Sequence, residues 1–217
     1  MADHLSEWDF ADVILAVLFG LTLEVALEVG LKPFVGFADV TAFKTAVLQD
    51  LGRHAGLFVQ LLVFIATLCR FYGGAHRFHS EQPEARGSWW DLAVDAAWTP
   101  TLFLGFYTAA LLVTTHDLFL AAVAAFHVID FVWFAVVLRA TNCPRFMKVL
   151  LGKYLWYDAV TVAAACLALA ALWNERLTPA QLPWVTSIIL AGMFFVDVFG
   201  PTREWYFAPE KWRADHA

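Results

Sequence analysis

The chain has 217 residues, 61% of them hydrophobic and 16% charged, with a net charge of −6 at pH 7. Mean hydropathy is +0.64. These values exclude an ordinary water-soluble domain, and the acidic balance excludes the basic face that a nucleic-acid partner requires.

Six apolar stretches, each near one bilayer in length, follow one another at 11–31, 54–73, 92–113, 117–138, 154–173 and 182–199. A helix of about 20 apolar residues crosses the hydrocarbon core. The expected fold is therefore all-α. Residues 1–217 form a single integral membrane bundle of six transmembrane helices, multi-pass in the inner (plasma) membrane, with the lipid bilayer as first partner. Asp3, Glu7, Asp9 and Asp12 stand where the basic region of a signal peptide would be, so the first helix is expected to be retained.

Span 1 ends near Gly30 and Pro33. Phe43, Val47 and Leu51 then recur every four residues, which predicts a short interfacial helix over 39–52 or the start of a long second helix. Span 2 runs to Tyr72, where Gly73-Gly74 is expected to break it. Trp89 and Trp90 sit where an aromatic belt belongs. Thr114-Thr115 predicts a tight turn between spans 3 and 4. Asn142-Cys143-Pro144 opens a basic loop, Thr178-Pro179 and Pro183 frame the next turn, and Gly200-Pro201 stops span 6. In the tail, 201–217, Trp205, Tyr206 and Trp212 beside Lys211 and Arg213 read as interface-seeking. Cys69, Cys143 and Cys166 follow no disulfide or metal spacing, and no metal or other cofactor is expected.

Basic residues set the orientation. Ten of the fourteen Lys and Arg fall on the side of the two termini and the loops 74–91 and 139–153. Only Lys32, Lys44, Arg53 and Arg176 fall on the other. Both termini and the tail are therefore expected in the cytoplasm. In that orientation Asp12, Arg70, Asp91, Asp95, Asp130, Asp158 and Asp197 lie in one inner layer, with His76 and Arg77 beside it. Acids in a first helical turn suit the positive helix N-terminus, which covers Asp12, Asp91, Asp95 and Asp158. Asp130 and Asp197 stand at the wrong helix end and call for a cationic partner, Arg70 or Arg139. The layer reads mainly as structural ties between helices. His127 and Asp130, three apart, share a face and could serve a proton relay or a ligand site, although a hydrogen-bonded core histidine explains His127 as well.

Glu24 and Glu28 are four apart on the outer half of span 1, above the apolar run that includes Ile14, Leu18 and Leu21. Repeated around a symmetry axis, they would form acidic rings above an apolar gate.

Phe10-Ala11-Asp12 resembles the Phe-Ser-Asp element that opens span 1 in bacterial relatives of the endolysosomal potassium channel (the transmembrane-protein-175 family). Tyr72-Gly73-Gly74-Ala75-His76-Arg77-Phe78 resembles that family's Trp-x-x-His-His-Arg signature at the end of span 2. Ser6, Ala11, Tyr72 and Ala75 depart from the two patterns. The resemblance implies short six-span chains with a pore-lining first helix and an apolar constriction on it. It also implies that Asp12, His76 and Arg77 belong to a polar cluster holding the helices together.

The functional expectation is a small homo-oligomeric cation channel or pore with no catalytic residues, passing a monovalent cation and open to a soluble regulatory partner. The alternatives are an intramembrane redox or enzyme subunit using His127 and Asp130, and a scaffold or effector subunit of a larger complex. No Gly-x-Ser-x-Gly or His-x-x-x-His spacing occurs to favour an enzyme.

Overall fold

A computed structural model describes residues 7–32, 41, 45, 51–80, 89–139 and 145–216. Among them, six long helices carry the chain: α1 (Glu7–Leu31), α2 (Leu51–Ser80), α3 (Trp89–Leu111), α4 (His116–Arg139), α5 (Arg145–Trp173) and α6 (Leu182–Phe199). Two short ones end it, α7 (Arg203–Phe207) and α8 (Pro209–Asp215). Five of the long helices, α1, α2, α4, α5 and α6, are long and apolar enough to cross a membrane. The sixth, α3, contributes a described apolar segment over Pro100–Leu111. The chain is a multi-pass all-helical membrane protein.

The long helices pack as a closed ring in the order α1, α2, α6, α5, α4, α3 and back to α1. Side-chain pairs give the directions. Phe19 on α1 meets Tyr72 on α2, and Gly30 faces Leu61, so these two helices are antiparallel. Gly56 faces Trp184 and Arg70 meets Asp197, so α2 and α6 are parallel. The short turn 112–115 folds α4 back against α3, as Thr114-Thr115 predicted.

Water drives no helix together inside lipid, so close packing must hold the ring. Its centre is aromatic. Phe106 meets Phe126 at 4.1 Å and Phe71 at 4.9 Å between the centroids of tilted rings, and Phe64 meets Phe119 edge-on at 5.3 Å. Four buried hydroxyls are satisfied within their own helices. Thr67, Thr161, Thr186 and Ser187 each donate to the carbonyl four residues back. Gln60 Nε2 donates to the Val113 carbonyl at 2.8 Å, tying α2 to the α3–α4 turn.

Three expectations are corrected. Gly73-Gly74 does not end α2, which runs on to Ser80, because neither residue sits where a turn is needed. Helix α5 begins at Arg145, well before 154, so Asp158 lies in mid-helix and gains nothing from the helix N-terminus. Trp205 and Trp212, read from sequence as interface-seeking, instead face the protein: each is 1% exposed and packs with Met147, Leu150 and Leu151. Apart from Thr41, Thr45 and the start of α2, the segment 39–52 lies outside the described residues.

A Cβ added at Gly30 would stand 2.7 Å from Leu61 Cδ1, and Leu61 is itself only 1% exposed. At Gly20 nothing lies within 4 Å. Gly30→Val is therefore expected to destabilise the detergent-solubilised protein by about 1–3 kcal/mol, the scale of overpacking. Gly20→Ala should leave the unfolding transition unchanged or slightly raised, and equal losses in both would refute the α1–α2 contact.

Candidate functional site

The ring closes over a polar cluster toward the end that carries α7 and α8. Arg70 Nε on α2 donates to Asp197 Oδ2 on α6, and the Asp197 side chain is fully buried. Tyr206 on α7 donates to the same oxygen at 2.7 Å. With its proton so used, Tyr206 accepts from the Tyr154 hydroxyl on α5 at 2.8 Å. The Thr202 hydroxyl also donates to Asp197. The Arg70 guanidinium lies 5.6 Å from the centre of the Tyr154 ring. One ion pair thus ties α2, α5, α6 and α7. Burial pushes ionisation of the Tyr206 hydroxyl above the usual tyrosine range; Arg70 opposes that shift and Asp197 reinforces it.

Beside this network, His127 Nδ1 on α4 meets Asp158 Oδ1 on α5 at 2.7 Å. Both residues are buried, as is Asp130 one turn further along α4. A cavity of about 70 Å³ lies among them. Arg70, His127, Asp130, Asp158, Tyr154 and Tyr206 all contribute to its wall, together with Thr67 and Leu15. The remainder is mostly aromatic: Phe71, Phe106, Phe126, Trp133 and Phe134. Such a volume holds more than one water molecule. Among the described residues, Asp130 Oδ1 and Asp158 Oδ2 are buried with no hydrogen-bond partner.

Arg70, Asp130, Asp158 and Asp197 from the expected inner layer do come together. Arg70 is the partner of Asp197, whereas Arg139 is exposed at the end of α4. His127 pairs across helices with Asp158, not along its own helix with Asp130. The side chains of Asp12, His76, Arg77, Asp91 and Asp95 lie outside the described residues. Tyr154, Thr202 and Tyr206 were not expected at the site. Tyr154 precedes Asp158 by four residues and so shares its helix face, a signal present in the sequence. The fold-back of α7 left no such trace.

The outer candidates lie elsewhere. Val13, Val17 and Leu21 are 59%, 55% and 48% exposed, and Glu24 and Glu28 continue the same outward face of α1. Ile14 and Leu18 are half-buried, with Leu18 packed on the aromatic core. Compared with known protein families, curated proteins and solved structures, the chain matches none.

Removing one partner of a buried ion pair leaves an uncompensated charge and typically costs about 3–5 kcal/mol. Arg70→Met alone is expected to destabilise on that scale, and the double variant Arg70→Met with Asp197→Leu should recover at least half of the loss. A double-mutant cycle of unfolding in detergent checks this, and strictly additive losses would rule out the tie.

Proposed function

We propose that the chain is a subunit of a small oligomeric cation channel or pore, with six spans, both termini in the cytoplasm and α1 lining the conduit. The observation that carries this reading is the outward face of α1. An ionised carboxylate facing hydrocarbon costs about 3 kcal/mol near mid-bilayer and less toward the interface. Glu24 and Glu28 are exposed on the single chain, one above the other, with Leu21, Val17 and Val13 continuing the stripe below. Packed around an axis by copies of this chain, the acids would draw cations to the outer mouth. The apolar residues beneath would form a constriction able to gate by dewetting. The first helix lines the pore in the family that segments 10–12 and 72–78 resemble, which favours the same arrangement.

The interior cavity favours a second reading, a membrane subunit with a small-ligand site at His127 and Asp130. In that role His127 has only its Nε2 to offer, because Nδ1 is engaged by Asp158.

Liposomes containing the purified protein test the first reading. Cation flux should exceed that of empty liposomes, and Glu24→Gln with Glu28→Gln should reduce it several-fold while the oligomer keeps its size. Absent flux, or flux indifferent to both substitutions, would remove α1 from the path.

A further inference from the structure

Among the described residues, the cavity described above brings together more carboxyl groups than cations. Asp130 and Asp158 bring two carboxyl groups to its wall, and Asp197 stands behind it, held by Arg70 and Tyr206. Among the described residues Arg70 brings the one fixed cation, already held by Asp197. His127, Tyr154 and Tyr206 are the other titratable groups that face it. Asp130 and Asp158 are 6% and 4% exposed, and each keeps one buried oxygen without a hydrogen-bond partner among the described residues. A buried carboxyl oxygen without a partner is unfavourable, so the pair calls for hydrogen-bond donors, supplied either by protons or by a cation that carries N–H groups.

The wall indicates which cation. Among the described residues no group of three or more His, Cys, Asp or Glu is placed to hold a metal ion. A bare inorganic cation needs a shell of oxygens in place of its water. This chamber offers few oxygens and many rings. Phe71, Phe106, Phe126, Trp133 and Phe134 present aromatic surface, and ring faces attract ammonium groups. Carboxylate oxygens accept charge-assisted hydrogen bonds from N–H donors. We propose that the chamber is a binding site for a small organic ammonium ion, an alkylammonium of a few heavy atoms. Its N–H groups bond to the Asp130 and Asp158 carboxyl groups, and its alkyl part rests on the rings. Protons alone would balance the charge but leave the space and the aromatic wall unused.

This site is separate from the outer stripe. Leu15 on the inner face of α1 lines the chamber, whereas Val13 and Val17 point outward. The two proposals therefore fail independently.

Thermal melting and calorimetric titration of the full-length protein in detergent test it, with methylammonium chloride compared against sodium and potassium chloride at equal ionic strength and pH. Methylammonium should raise the melting temperature saturably, beyond any effect of the two metal ions. Asp130→Asn should weaken its binding at least about tenfold, the scale of one hydrogen bond to a charged group. That variant removes a buried charge and keeps the shape, so folding is preserved. Trp133→Leu should also weaken binding, and Glu24→Gln should leave it unchanged. Equal effects of all three salts, unchanged binding in Asp130→Asn, or a melting temperature that responds to pH alone would overturn the proposal.

Discussion

Everything at the polar end of this bundle depends on one constraint: a guanidinium inside a membrane helix must not stand alone. Arg70 falls inside a segment long and apolar enough to cross the membrane, so its charge fixes where α2 can sit relative to α6. Asp197 answers it, but a buried carboxylate has more acceptor capacity than one N–H can fill. Thr202 and Tyr206 take up the remainder, and both come from beyond the end of α6. The pairing therefore folds the C-terminal segment back onto the bundle. Trp205 and Trp212 then pack on α5, and Lys153 lies 4.2 Å from the centre of the Trp212 ring while donating to the Pro201 carbonyl.

Two sets of acids meet opposite solutions. The interior acids sit among helices that cannot separate without exposing Arg70, so their charge has to be balanced in place. Glu24 and Glu28 sit on a helix face that the single chain leaves open, so theirs has to be balanced from outside. In lipid, a carboxylate is as strong a statement about what must cover it as an apolar patch is in water. The same helix takes part in both arrangements, with Leu15 facing the chamber and Leu21 facing out.

The helices were legible in the sequence because hydrocarbon enforces length and apolarity together. Each of the six stretches is carried by a helix, and the turns at Thr114-Thr115 and Gly200 stand where composition placed them. Gly73-Gly74 misled because glycine is tolerated in a helix whose backbone is already satisfied. Gly74 borders the chamber, and a Cβ there would still stand 3.6 Å from the Tyr206 hydroxyl. The choice of partners was not legible. Periodicity assigns His127 and Asp130 to one face, but only the ring order brings α5 against α4 and lets Asp158 take the histidine. Tyr206 could not be read as part of the site because its place depends on a chain reversal after Pro201.

The reversal also sets how the chamber communicates with its surroundings. Tyr206 is both a wall of the cavity and a donor to Asp197, so any movement of α7 changes the space and the Arg70 pair together. Helix α7 has only five residues, too few for its own hydrogen bonds to hold it in place. It is held by Trp205, by Tyr206 and by the ion pair beneath. A cation entering beside Asp130 would share with Arg70 the field of the neighbouring carboxyl groups. On that proposal, occupancy of the chamber and the seating of α7 would be linked through Tyr206, which lines the one and belongs to the other.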